Sequence, residues 1–142
     1  MKKKILFLCT GNSCRSQMAE GWTRHLKGNF IEAFSAGTEP TQLNPFAVKA
    51  MAEVGVDISR QKSKHIDDLS NLTFDNVITV CDHANETCPI LPGKTKRMHV
   101  GFDDPPRLAK DAKSDEEALV HYRRVRDEVR SFVLTLPKSL EN

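Results

Sequence analysis

Seven residues near the start of the chain, CTGNSCR, combine a thiol, a glycine and a guanidinium in one short loop. Cys9 and Arg15 flank five residues directly before a predicted helix. A loop of this size can wrap its backbone N–H groups around a tetrahedral oxyanion, and the helix N-terminus adds partial positive charge. Gly11 is expected to supply a positive φ, and the planar fork of Arg15 can hold two anion oxygens. The predicted oxyanion cradle consists of Thr10, Gly11, Asn12, Ser13, Cys14, Arg15 and Ser16.

The same loop predicts a reactive thiol at its base. The positive field of the cradle is expected to depress the pKa of Cys9, which makes its thiolate available as a nucleophile at neutral pH. Ser16 is placed to donate a hydrogen bond to that thiolate. The alternative is a buried cysteine followed by an ordinary polar turn. A strand before the loop, a helix after it and a glycine inside it favour the cradle.

Two further cysteines, Cys81 and Cys88, are separated by six residues. This spacing matches no usual zinc knuckle, and we predict no metal site. Seven residues of helix would add about 10 Å of rise between the two cysteines. A disulfide needs Cα atoms about 4.4–6.8 Å apart. Any bond between Cys81 and Cys88 would therefore require residues 82–87 to loop or unwind.

Strands and helices alternate along the whole sequence, and this order predicts how the loops are positioned. Buried strands are predicted over residues 4–9, 31–36, 76–80 and 96–100, and helices over residues 16–27, 45–54 and from residue 115 onward. Asn44 and Ser114 are the predicted N-caps. We expect a single α/β domain over residues 1–142, a flavodoxin-like parallel four-stranded sheet with helices on both faces. Ligands bind such folds at the carboxyl ends of the strands, where the Cys9 loop, Cys81 and residues 101–106 are expected to lie.

Composition, net charge and the length of the apolar runs exclude several classes of protein. The chain has 142 residues, of which 39% are hydrophobic and 28% charged, as in an ordinary globular domain. Its net charge of +2 does not suggest a nucleic-acid partner. The apolar run at residues 5–8 is shorter than the roughly 7–15 residues of an export signal, and no run approaches the ~18 residues of a membrane span. We therefore expect a cytoplasmic monomer with no membrane partner.

The segment CTGNSCRSQMAEGW resembles the phosphate-binding loop of the low-molecular-weight protein tyrosine phosphatases and, more closely, that of the arsenate reductases with the same fold. The resemblance continues through SAG, LNPFAVKAM, DIS, VCDHANETCP and GFDDP, so it covers nearly the whole chain. It implies a thioredoxin-coupled arsenate reductase that contributes to arsenic detoxification. Phosphate and sulfate would be competing oxyanions. The shared cradle leaves residual phosphatase activity open.

The resemblance also implies a relay of three thiols. Cys9 would attack arsenate, and Cys81 would then attack Cys9 and release arsenite. Cys88 would attack Cys81, and the resulting Cys81–Cys88 disulfide would be reduced by thioredoxin, with a glutaredoxin or a low-molecular-weight thiol as the alternative donor. No tightly bound cofactor is implied, and Cys14 has no required role.

An Asp-Pro pair matches the position of the family's general acid, which protonates the departing oxygen. Asp104 is therefore the expected acid, with Asp103 as its neighbour. In the phosphatases two tyrosines commonly follow the proline and hold an aromatic substrate. Pro106 and Arg107 occupy these positions in this chain, so it lacks the two tyrosines that would hold phosphotyrosine.

Some reductases of the family hold a potassium ion with residues matching Asn12, Glu20, Ser35 and a downstream carboxylate. Lys64 stands at the downstream position, and its ammonium group would repel the ion or replace its charge. We therefore expect no potassium activation. Two other functions stay open: a low-molecular-weight phosphatase, and a thiol-based arsenite or metal sensor that uses Cys9, Cys81 and Cys88 as ligands.

Overall fold

The computed structural model describes residues 2–81 and 94–141, so residues 82–93, Cys88 among them, lie outside the described residues. The strands are β1 (Lys3–Cys9), β2 (Ile31–Gly37), β3 (Asn76–Thr79) and β4 (Lys96–His99). The helices are α1 (Arg15–Lys27), α2 (Pro45–Ala52), α3 (Pro105–Leu108) and α4 (Asp115–Val133), with 3-10 turns at Ile66–Leu69 and Lys138–Leu140. The predicted elements are confirmed, with bounds that differ by no more than two residues. The short helix α3 and both 3-10 turns were not predicted.

The four strands form one parallel sheet in the order β2-β1-β3-β4. From β1 the chain passes to β2 on one side and later returns to β3 on the other, so the direction of winding reverses at β1. Residues 5–8 of β1 are fully buried, which explains their continuous apolar character. This topology confirms the predicted flavodoxin-like fold. It also brings the carboxyl ends of β1 and β3 side by side at the switch point, where such folds bind ligands.

Local signals explain where the helices near the site begin. The side chain of Asn44 accepts hydrogen bonds from the N–H groups of Phe46 and Ala47, and Pro45 occupies the first turn of α2. The Ser114 side chain accepts from the Glu117 N–H at 3.1 Å and caps α4. Within residues 2–81 and 94–141, no helix has both the length and the apolar character that crossing a membrane requires.

Candidate active site

The loop after β1 has its carbonyl groups turned outward. All five carbonyls of residues 9–13 accept hydrogen bonds from residues outside the loop. The donors are the backbone N–H groups of Thr38 (3.2 Å, to Cys9), Glu39 (2.9 Å, to Thr10), Thr41 (3.0 Å, to Gly11) and Asn44 (2.9 Å, to Ser13), and the side-chain amide of Gln17 (2.9 Å, to Asn12). The N–H and C=O of a trans peptide point in opposite directions. Outward carbonyls therefore direct the following N–H groups toward the centre of the loop, as an oxyanion requires.

The left-handed residue of this loop is Asn12, with φ 47°, and Gly11 is not among the described residues with positive φ. The expectation that Gly11 supplies the positive φ is therefore wrong. Asparagine tolerates this conformation because its short polar side chain can bond locally. Its Nδ2 donates to Ser16 Oγ at 2.8 Å and its Oδ1 accepts from the Lys64 N–H at 2.9 Å. A Cβ at Gly11 would lie 3.1 Å from the side-chain oxygen Oγ1 of the exposed Thr41.

Cys9 lies at the base of the loop and is only 3% exposed. Its Sγ is 2.9 Å from Ser16 Oγ and accepts a hydrogen bond from the Asn12 N–H at 3.2 Å. Burial raises the pKa of Cys9, while the hydrogen bonds from Ser16 and Asn12 act to lower it. The expected depressed pKa is therefore wrong, because desolvation of the thiolate outweighs these hydrogen bonds. The predicted contact between Cys9 and Ser16 is present.

Cys81 follows β3 and lies beside the cradle, where the sequence predicted it. Its Sγ is 3.3 Å from Thr10 Oγ1, so a hydroxyl on the residue after Cys9 contacts the second thiol. Cys9, Cys14 and Cys81 are all buried free thiols. Burial also raises the pKa of Cys14, which keeps it a neutral thiol. The predicted partner Cys88 lies outside the described residues.

A depression opens beside Cys81 and is lined by Asp103 and Asp104, the two carboxylates of the Asp-Pro segment. Arg15 Nη1 donates to the Phe102 carbonyl at 3.0 Å, and its Nη2 is 3.6 Å from Asp104 Oδ1. Asp103 pairs with Arg124 of α4 at 2.8 Å instead. Asp104 is thus the carboxylate next to the cradle arginine.

The sequence matches the family described as low molecular weight phosphotyrosine protein phosphatase over residues 4–142. The chain belongs to this family. The arsenate reductase of Halalkalibacterium halodurans is 49% identical to it over 97% of each chain. That of Bacillus subtilis is 52% identical, with 91% of each chain covered.

Solved structures in the family agree with this placement. An arsenate reductase in its phosphate-binding state matches with a TM-score of 0.77 at 33% identity, over 98% of this chain and 99% of that one. A low molecular weight protein tyrosine phosphatase from T. tengcongensis matches with a TM-score of 0.72 at 25% identity, over 97% of this chain and 99% of that one. The resemblance stated from the sequence is confirmed, and the fold accommodates both kinds of enzyme.

The residues expected at the family's ion position already have protein partners. Glu20 accepts a hydrogen bond from Ser35 Oγ at 2.7 Å and forms an ion pair with Arg24. Lys64 Nζ donates to the Lys62 carbonyl at 2.9 Å, and burial lowers the pKa of Lys64. Two cationic side chains therefore lie near Glu20. Across the described ranges, no group of three or more His, Cys, Asp or Glu side chains is arranged to hold a metal ion.

Gly37 and Gln17 complete the cradle, and the sequence predicted neither from its own patterns. A Cβ on Gly37 would lie 2.4 Å from the Thr10 carbonyl oxygen and 3.0 Å from the Asn12 nitrogen, so only glycine fits against the loop. Gln17 is fully buried although it is polar. A polar amide in the first turn of a helix that starts at the site is the signal that could have identified it.

Proposed function

We propose that this chain reduces arsenate to arsenite with a relay of Cys9, Cys81 and Cys88. The observation that carries the proposal is the second thiol beside the cradle, with Cys81 Sγ 3.3 Å from Thr10 Oγ1. A phosphatase needs only one nucleophile, because water hydrolyses its phospho-cysteine intermediate. Arsenic(V) must receive two electrons, and a second thiol can supply them. The 49% and 52% identical relatives, both named arsenate reductases, support the same choice.

The first step forms a bond between sulfur and arsenic. Cys9 attacks arsenate in the cradle, one As–O bond breaks, and the oxygen leaves as water with the proton that Cys9 had carried. Asp104 is the proposed general acid that passes this proton to the departing oxygen, since its Oδ1 lies 3.6 Å from Arg15 Nη2 at the mouth of the site. The remaining oxygens would be held by the N–H groups of residues 10–16 and by the Arg15 guanidinium.

The next steps move the electrons. Cys81 attacks Cys9 Sγ, the S–As bond breaks with its electron pair staying on arsenic, and arsenite leaves as a Cys9–Cys81 disulfide forms. The Thr10 hydroxyl, in contact with Cys81 Sγ, would stabilise the attacking thiolate. Cys88 then attacks Cys81, which frees the Cys9 thiolate and leaves a Cys81–Cys88 disulfide.

Reduced thioredoxin is the proposed donor that restores the two thiols. Because the cycle starts from free thiols, we also propose that the enzyme acts in the reducing cytoplasm. No potassium ion is proposed in the cycle, since Arg24 and Lys64 already supply positive charge near Glu20.

A thiol count and disulfide map tests the proposal. Fully reduced protein is mixed with one equivalent of arsenate and no other reductant. The expected result is loss of two thiols with a Cys81–Cys88 bond. Cys88→Ser should stop the relay at a Cys9–Cys81 bond, whereas the control Cys14→Ser should behave like the unchanged chain.

Retention of all four thiols would contradict the relay. Hydrolysis of p-nitrophenyl phosphate by that same preparation would then identify a phosphatase. Stoichiometric arsenite bound to three thiols without turnover of arsenate would indicate the sensor instead.

A further inference from the structure

One carbonyl of the cradle loop is held differently from its neighbours. The carbonyls of Cys9, Thr10, Gly11 and Ser13 accept from backbone N–H groups of residues 38–44. The carbonyl of Asn12 accepts from the side-chain amide of Gln17 at 2.9 Å. Asn12 is also the left-handed residue of the loop, with φ 47°. The most unusual peptide of the cradle therefore depends on a side chain for its orientation.

Gln17 is built into a dense hydrogen-bond network. It is fully buried, and its Nε2 donates both to the Asn12 carbonyl and, at 3.0 Å, to the Lys62 carbonyl. Its Oε1 accepts from Gln61 Nε2 at 2.8 Å. All of its polar atoms are thus paired, which gives the amide one orientation. Because Gln17 lies in the first turn of α1, it links the helix, the cradle and residues 61–62.

The geometry points to Gln17 as a positioning residue of the oxyanion cradle: its amide holds the Asn12 carbonyl outward. In a planar trans peptide, this turns the Ser13 N–H into the cradle. It also keeps Asn12 in its left-handed conformation, with its own N–H 3.2 Å from Cys9 Sγ. The inference rests on two parts of the proposed function: the cradle binds an oxyanion, and Cys9 is the nucleophile.

The test compares two buried polar residues of the same helix. Gln17→Met keeps the length of the side chain and removes its hydrogen bonds to Asn12 and Lys62. The matched control is Thr23→Val, since Thr23 is also fully buried and its Oγ1 donates only within α1, to the Ala19 carbonyl at 2.7 Å. Two quantities are measured: the Kd for inorganic phosphate by calorimetry, and the rate of Cys9 alkylation by iodoacetamide as a function of pH, with the modified peptide identified by mass spectrometry.

Gln17→Met should bind phosphate about fivefold more weakly and shift the alkylation profile of Cys9 to higher pH, as expected for loss of one hydrogen bond near a charged group. Thr23→Val should lower the melting temperature and leave both quantities unchanged. Equal effects in the two variants, or no effect in a folded Gln17→Met, would overturn the inference.

A second variant covers failure of Gln17→Met to fold. Gln61 is only partly buried, and Gln61→Met removes the partner of Gln17 Oε1 while leaving the Asn12 contact in place. It should weaken phosphate binding about twofold, and unchanged binding would count against the positioning role. Neither readout uses arsenate turnover, so absence of arsenate reduction in the unchanged chain would contradict the proposed function alone.

Discussion

At the scale of single residues, two opposing effects act on the pKa of Cys9. Burial raises it, and the hydrogen bonds from Ser16 and Asn12 lower it. Burial has the larger effect, so the pKa of Cys9 is raised. Alkylation of Cys9 by iodoacetamide should therefore be slow at neutral pH and become faster only above the ordinary thiol pKa of about 8.5. Ser16→Ala removes one of the lowering contacts, so the rate at a fixed pH should fall about fivefold. The exposed Ser131→Ala is the control, and an unchanged rate in Ser16→Ala would contradict this account.

Lys64 leads to a second residue-scale prediction. Its partly buried ammonium and the Arg24 guanidinium place positive charge near Glu20, the position where the family resemblance implies a potassium ion. Turnover of arsenate should therefore be the same in potassium and in choline salts at equal ionic strength. The measurement is the initial rate in each salt, with sodium as a third condition. A strong dependence on potassium would show that the ion competes successfully with these side chains.

At the scale of elements, the turn from β4 into α3 brings charge to the mouth of the site. Arg107 of α3 lines the same depression as Arg15 and Cys81, and it has no ion-pair partner among the described residues. An exposed cation at the mouth attracts an anion over a distance set by the ionic strength. Arg107→Gln should therefore raise the KM for arsenate about threefold with little change in kcat.

The salt dependence of that effect distinguishes attraction from damage to the loop. The difference between Arg107→Gln and the unchanged chain should shrink as salt is added, because screening weakens the attraction that Arg107 exerts in the unchanged chain. Lys110→Gln removes an exposed charge from the same segment without touching the depression, and its KM should be normal. A large loss of kcat in Arg107→Gln would instead indicate that the substitution had displaced Asp104, the proposed general acid.

At the scale of the whole molecule, the order of strands and helices could be predicted from the sequence because buried strands and amphipathic helices carry strong local patterns. The Cys9 to Arg15 spacing likewise identified the cradle, since one short loop contains its backbone. The left-handed conformation of Asn12 and the hydrogen-bond partners of Gln17 could not be predicted in this way. Both depend on contacts with residues 61–64, which are distant in the sequence. The raised pKa of Cys9 was missed because it depends on how completely the finished fold buries the thiol.

Long-range contacts also join the last helix to the first half of the chain. Glu53, which follows the end of α2, accepts hydrogen bonds from Arg123 at 2.8 and 2.9 Å and from Arg126 at 3.1 Å. These two α4 arginines offset the unfavourable placement of a carboxylate at a helix C-terminus. The hydrogen bond from Arg123 is the main cause of the lowered pKa of Glu53.

Glu53→Gln should therefore lower the melting temperature at pH 7 by about 2–4 °C. A lowered folded pKa means that the carboxylate adds stability above its unfolded pKa, near 4.3, and that this stability is lost as pH falls through the folded value. Thermal unfolding across pH 3–7 should show the difference between Glu53→Gln and the unchanged chain closing at the acid end. Glu32→Gln, at an exposed position on β2, should show no such difference at any pH. A gap that stayed constant with pH would mean that packing, and not the charge of Glu53, joins α2 to α4.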